Sequence, residues 1–297
     1  MKAFLITLLG LIVIFGLFLF FGKKASQVEQ VGFQANIPQS PSRDSVSITK
    51  KSDMQLLSTY NIGYENDEAL EYLYPTLPST DQLVVHQGYT LAYNESNEVA
   101  DWVAYVLDSN ELQIHRNRSN DFQRDPFVST VSALPNDYWH SGFDRGHLAP
   151  AADMQWSSQA MKESFYMSNM SPQVPGFNRG IWKDLEEQVR IWAKLNSQVF
   201  IVTGPVYSSS SHEKEYIGAN QVAIPDAFYK IIFDYKQPEI KVISFLIPNE
   251  DVISSYQSFT RSIDEIEKKT GLDFFPQLPD SIEMELESLN SRSGWFN

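Results

Sequence analysis

Two hydrophobic patterns divide the chain. Residues Ala3 to Phe21 carry no charge and are filled almost entirely by Leu, Ile, Val and Phe. A helix of that length, rising about 1.5 Å per residue, matches a hydrocarbon core of roughly 30 Å, so the run predicts a transmembrane anchor over residues 1–24. A cleaved signal peptide has an apolar region of only about 7–15 residues and a small-x-small cleavage site, whereas this run ends in Gly22-Lys23-Lys24. Lys2 on one flank faces Lys23 and Lys24 on the other, which leaves the orientation open. Residues 25–55 are rich in Ser, Gln and Lys, with Phe33 as their sole aromatic, and read as a flexible linker.

Beyond residue 56 the pattern changes to that of a folded domain, expected to run over 56–297. Leu83 to Val85, Tyr89 to Tyr93 and Trp102 to Leu107 are short β-rich runs separated by polar turn signals, as in an antiparallel meander. Val199 to Val202, ending at Gly204-Pro205, reads as a buried strand, and Phe228 to Tyr235 and Val242 to Ile247 flank a Lys-Gln-Pro turn. Segment 178–195 places Ile181, Leu185, Val189 and Trp192 on one helical face. A capping box, Ser262-Ile263-Asp264-Glu265, opens another helix that Gly271 closes. The predicted class is α+β: a central antiparallel sheet with packed helices.

Composition removes some chemistries. The chain has no cysteine, which excludes disulfides, thiolate metal sites and cysteine nucleophiles. A net charge of −14 argues against a general polyanion binder. That objection weakens on inspection of the distribution. Between His140 and Lys194 there are six basic and six acidic residues, so the whole deficit lies elsewhere.

The neutral stretch holds the candidate chemistry. Asp144-Arg145-Gly146-His147 sets an acid, a base, a glycine and an imidazole in consecutive positions. His147 can act as a general base near neutral pH, and Gly146 allows close approach. Downstream come Asn169, in Ser168 to Gln173, and then Asn178, Glu186 and Arg190. At about 100° per residue, Glu186 falls about 80° and Arg190 about 120° from Asn178 on a regular helix, beside the apolar stripe. An amide oxygen and a carboxylate suit a hard cation such as Mg²⁺, and an arginine on that flank can hold a phosphate. Each residue also has a plain structural reading: a loop histidine at His147 with a local Asp144–Arg145 pair, a helix N-cap at Asn178, a surface ion pair of Glu186 with Arg190.

Together these residues resemble the DNA/RNA non-specific endonucleases of the ββα-metal superfamily, in particular the endonuclease G type. The Asp-Arg-Gly-His signature stands at Asp144 to His147, the Ser-Asn-x-x-Pro-Gln element at Ser168 to Gln173, and the Asn-x-x-x-Trp-x-x-Leu-Glu helix at Asn178 to Glu186. The resemblance implies a ββα-metal catalytic motif and metal-dependent hydrolysis of DNA and RNA, giving 5′-phosphate ends. By the same likeness His147 is the general base, Asn178 binds one Mg²⁺ directly, with Mn²⁺ a substitute, and Glu186 holds its water shell. Arg145 and Arg190 contact the phosphate, Asn169 positions the site, and a homodimer is among the expected assemblies. Two rival readings are a membrane-tethered module that binds nucleic acid without cutting it, and a phosphodiesterase for another substrate.

With residues 3–21 in a membrane, a non-specific nuclease is expected to face away from the genome, in a periplasm or outside the cell. His86, His115 and His212 read as exposed residues of turns and polar loops, and His140 as a plain structural residue, with bordering the site its less favoured alternative. The acidic residues Asp280, Glu283, Glu285 and Glu287 read as a solvated face. Trp295 and Phe296 either dock on the core or lie exposed.

Overall fold

Antiparallel pairing of the β-rich runs organises the chain. The computed structural model describes residues 71–296 except 72, 131, 208–213, 236–239 and 291. The expected anchor at residues 1–24, the linker at 25–55, the domain start at 56 and His212 therefore lie outside the described residues. Among the described residues no helix is long and apolar enough to cross a membrane.

In chain order the elements are β1 (Gln82–Val85), β2 (Thr90–Asn94), β3 (Val99–Asp108), β4 (Asp144–His147), α1 (Ser158–Glu163), β5 (Met170–Gln173), α2 (Lys183–Asn196), β6 (Gln198–Val206), β7 (Tyr216–Ile217), β8 (Val222–Ala223), β9 (Ala227–Asp234), β10 (Lys241–Pro248), β11 (Thr260–Arg261), α3 (Ile263–Thr270) and α4 (Asp280–Ser288). Seven strands form one sheet in the order β1-β2-β3-β6-β9-β10-β11, every neighbouring pair antiparallel. The α+β expectation and its strands at 83–107, 199–202, 228–235 and 242–247 agree with this sheet.

Side chains alternate between the two faces, and both faces are covered. Tyr105, Ile201, Ile232 and Phe245 pack with Leu185, Val189 and Trp192 of α2. Trp102, Val202, Tyr229 and Phe233 pack with Ile263 and Ile266 of α3 and Ile282 and Leu286 of α4. Each buried Leu or Val on α2 contributes roughly 2 kcal/mol of transfer free energy, more than helix propensity could supply to so short a segment. The C-terminus docks on the same helix: Trp192 Nε1 donates to the Trp295 carbonyl at 2.7 Å, and the two rings meet edge to face at 5.0 Å. Ser262 caps α3 by accepting from the Glu265 amide at 3.2 Å, and Gly271 ends it at φ +74°.

Three expectations need correction. The helix over 178–195 is not regular at its start: Pro175–Phe177 is α-helical, Asn178–Trp182 forms a wide π turn, and only then does α2 run straight. Gly180, at φ −107° and ψ −111°, carries the kink. A π turn takes an extra residue, so angles counted at the α-helical step do not hold from Asn178 onward. The acidic tail is the helix α4, whose Ile282 and Leu286 face the core while Glu287 is buried rather than solvated. Burial and the neighbouring Glu267 push the Glu287 carboxyl up to about 9. His86, finally, is buried, with Nε2 2.9 Å from Asp125 Oδ2 and its ring 4.7 Å from that of Tyr89. Its side chain enters the interior because a carboxylate there satisfies it.

Candidate active site

β4 and β5 form a ribbon of their own, with Asp144 opposite Gln173, Arg145 opposite Pro172, Gly146 opposite Ser171 and His147 opposite Met170. The kinked helical segment follows β5 at once. Gly146 is required by this packing, since a Cβ there would stand 2.1 Å from the Gln173 side chain, which is itself wholly buried.

His147 closes β4. Its ring lies edge-on to Phe165 at 5.0 Å and near Phe122 at 5.9 Å, and Nε2 has no hydrogen-bond partner among the described residues. Burial, helped by the charge of Arg118, pushes its pKa down to about 3. The imidazole is therefore neutral at neutral pH, and nothing nearby competes for the proton it could take.

Asn169 is wholly buried, and its side chain hydrogen-bonds to backbone groups. Its Oδ1 accepts from the Ala149 amide at 2.9 Å, while Nδ2 donates to the carbonyls of Ala149 and Ser164, both at 2.9 Å. The Leu148 amide donates to the Asn169 carbonyl at 3.0 Å. Asn169 thus grips the two residues after His147 and holds the end of β4. The turn that carries it is anchored in turn, because Ser168 Oγ donates to Asp125 Oδ2 at 2.5 Å, on the carboxylate that His86 also meets.

Asp144 does not pair with its neighbour Arg145. Its carboxylate takes a forked pair of hydrogen bonds from Arg179, Nε to Oδ2 at 2.8 Å and Nη2 to Oδ1 at 2.6 Å, and a third from Asn178 Nδ2 at 2.8 Å. Burial alone would raise the Asp144 pKa, but the bonds from Arg179 and Asn178 hold it below the ordinary carboxylate value. Asn178 is no helix N-cap: its backbone is helical, it follows the short helix Pro175–Phe177 as its C-cap, and its amide donates to the Val174 carbonyl at 2.9 Å. A carboxylate only accepts, so Nδ2 must face Asp144 and Oδ1 must face away.

Glu186 and Arg190 lie on α2 and are half-buried, but they form no ion pair with each other. Arg190 Nη1 pairs with Asp153 Oδ1 at 2.9 Å, and Tyr105 OH donates to Asp153 Oδ2 at 3.0 Å. Glu186 has neither a hydrogen bond nor an ion pair among the described residues. Burial pushes its pKa up to about 7, against the pull of Lys230 and Arg190, with Asp153 adding to the rise. The unbonded Glu186 carboxyl and the outward-facing Asn178 amide oxygen are both hard oxygen donors, of the kind that fits a divalent cation. Arg145 lies 4.2 Å over the Phe122 ring and is in no ion pair among the described residues, so its donors are free for an anion.

Two neighbours were missed by the sequence reading. Arg118 lies 4.9 Å over the Phe165 ring that also meets His147, and its charge acts on both His147 and Glu186. Lys230 is wholly buried on β9, 4.7 Å over the Trp182 ring, with no hydrogen-bond partner for Nζ among the described residues. A signal for it existed: alternation puts residue 230 on the face of Phe228 and Ile232, where a lysine is out of place. Of the remaining histidines, His115 is exposed and meets Gln155, as read, while His140 is exposed at φ +59° with no hydrogen bond or ion pair to a site residue among the described residues.

Comparison with known proteins shows the family of the chain. A family model described as DNA/RNA non-specific endonuclease matches residues 67–281. Endonuclease G, mitochondrial, from Bos taurus is 36% identical over 214 residues, which cover 68% of this chain and 72% of the relative. Nuclease C1 from Cunninghamella echinulata is 37% identical over 65% of this chain and 82% of its own length. Among solved structures, a crystal structure of an EndoG/EndoGI complex superposes with a TM-score of 0.64 at 34% identity, covering 71% of this chain and 91% of the other.

These findings overturn the expected membrane-anchored, periplasmic or extracellular location. No described helix can span a bilayer, and the animal relative is described as mitochondrial. The expectation rested on the apolar length and lysine-bounded end of residues 3–21 and on the danger of a nuclease beside the genome, neither of which specifies a cellular address.

Proposed function

The chain belongs to the DNA/RNA non-specific endonuclease family, and from that premise we propose that it is a metal-dependent endonuclease that hydrolyses phosphodiester bonds of DNA and RNA. The observation that carries this reading is that one strand serves both halves of the chemistry. β4 ends in the unpartnered, neutral His147, and its first residue, Asp144, turns the amide oxygen of Asn178 outward.

Asn178 would hold the cation, with Glu186 reaching it through water. A Mg²⁺ ion there supplies charge stabilisation to the phosphate and to the departing oxygen. The remaining work falls to the chain. His147 takes a proton from a water molecule as the water oxygen bonds to phosphorus. The bond from phosphorus to the 3′ oxygen breaks, that oxygen takes a proton from solvent, and the products are a 3′ hydroxyl and a 5′ phosphate. An approaching phosphodiester brings negative charge beside the imidazole and raises its basicity from the low resting value. Arg145 and Arg118, neither in an ion pair among the described residues, are placed to bind the phosphate oxygens. Arg190, with Nη1 on Asp153, keeps its other donors for the same task. None of these groups reads a base edge, which suits a substrate recognised through its backbone.

The test is a plasmid-nicking assay with Mg²⁺, with EDTA, and with His147→Ala. Cleavage by the wild type with Mg²⁺, lost in the other two arms, is expected. Full cleavage by His147→Ala would refute the assignment of the base.

A further inference from the structure

A second feature lies beside the site and takes no part in the chemistry. The segment His115 to Ser119 and the helix α1 enclose an open cleft of about 520 Å³, lined by His115, Arg116, Asn117, Ser119, Met161 and Lys162 among others. No carboxylate lines it, in a chain that carries 37 acidic residues against 23 basic ones. Its two cations are not neutralised. Arg116 Nε donates to the Trp156 carbonyl at 3.3 Å, a neutral acceptor, and Lys162 is exposed with no ion pair among the described residues. His115 is braced in the same way, with Nδ1 3.0 Å from the side-chain oxygen of Gln155.

The cleft adjoins the catalytic groups through one layer of side chains. Met161 on its floor packs with Phe165, the ring that meets His147 and carries Arg118. Asn117 and Ser119 line the cleft while Arg118, between them, lies over Phe165. Arg116 and Arg118 are two residues apart, so their α-carbons are no more than about 7 Å apart, close enough for the two side chains to serve neighbouring phosphates of one strand.

Resting on the nuclease reading, we propose that this cleft binds the phosphates of the nucleic-acid strand that flanks the cleaved bond, through Arg116 and Lys162. The cleft supplies local attraction where the molecule as a whole has none to offer. It would make affinity depend on strand length, because a substrate with one phosphodiester reaches the catalytic groups but not the cleft.

Binding is measured by fluorescence anisotropy on the full chain with Mg²⁺, in a His147→Ala background that leaves the strand intact. The probe is a labelled 16-nucleotide single-stranded DNA, with an unlabelled dinucleotide as competitor. Adding Arg116→Gln and Lys162→Gln is expected to weaken binding of the 16-mer at least fivefold. Loss of two phosphate contacts also lowers the slope of log Kd against log salt by about 1.4, at about 0.7 per contact on a single strand. The Kd of the dinucleotide stays the same. Lys268→Gln with Lys269→Gln, an equal charge change on exposed residues of α3, is expected to leave both unchanged. Equal effects from the two pairs, or none from the first, overturn the cleft. The wild type is assayed on plasmid in parallel. Cleavage with cleft-independent binding refutes the cleft alone, whereas cleft-dependent binding without cleavage refutes the hydrolytic reading alone.

Discussion

Asp144 accepts the side-chain N–H of Asn178 at 2.8 Å, across 34 residues of sequence. The bond decides which end of a near-symmetric amide faces outward, and the forked grip of Arg179 keeps the carboxylate from turning away. Partners that orient a ligand typically govern metal affinity by 10–100-fold. Asp144→Ala is therefore expected to raise the Mg²⁺ concentration for half-maximal cleavage by about 10–100-fold, with most of kcat recovered at saturating Mg²⁺. A metal titration of cleavage checks this, and an unchanged half-saturation point would contradict it.

His147 links the site to acid stability. Its folded pKa is pushed from the ordinary 6.5 down to about 3, so in this window the unfolded chain takes up a proton that the native state refuses. The contribution is fully present above pH 6.5 and is lost as pH falls toward 3, at up to about 1.4 kcal/mol per pH unit. Urea unfolding in EDTA at pH 7 and pH 5 should show a steeper loss for the wild type than for His147→Gln. Parallel losses would mean that the ring is hydrated in the native state.

Gly146 is a packing requirement of the ribbon. A Cβ there would stand 2.1 Å from the buried Gln173 side chain, so either that side chain or the β4–β5 pairing must shift. Gly146→Ala is expected to cost roughly 1–3 kcal/mol in unfolding free energy and to lower cleavage at least tenfold, since His147 is the next residue. Denaturant curves alongside nicking rates test the two effects together.

The fold was largely legible because its core obeys simple periods. The strands around Leu91 and Val103 are nearly continuous apolar runs, as a sheet covered on both faces requires, and Leu185, Val189 and Trp192 recur at helical spacing. The site was legible where the chemistry is contiguous, from Asp144 to His147. It was not legible where packing overrides the period. Gly180 in Asn178-Arg179-Gly180 gave a hint of the π turn, yet nothing local fixes how far such a turn rotates Asn178. Arg118 sits in a polar segment without any period, and only the aromatic pair Phe122 and Phe165 brings it to His147. Partner choice was equally hidden, for Asp144 reaches Arg179 rather than Arg145, and Arg190 reaches Asp153 rather than Glu186.

That last pairing separates two roles for Arg190. The Asp153 side chain is almost wholly buried and Arg190 is mostly so, and Tyr105 OH holds the second carboxylate oxygen. Removing one partner of a buried pair leaves the other charge uncompensated and typically costs about 3–5 kcal/mol. A residue that only contacted substrate phosphate would change kinetics and leave stability alone. Arg190→Ala is therefore expected to lose about 3 kcal/mol in unfolding free energy as well as activity. Pairing it with Asp153→Asn should restore much of the stability, since the amide still accepts from Tyr105 and carries no charge, but should not restore cleavage. If the double variant regained cleavage, Arg190 would serve the fold and not the phosphate. If Arg190→Ala proved as stable as the wild type, its partner would be the substrate and not Asp153.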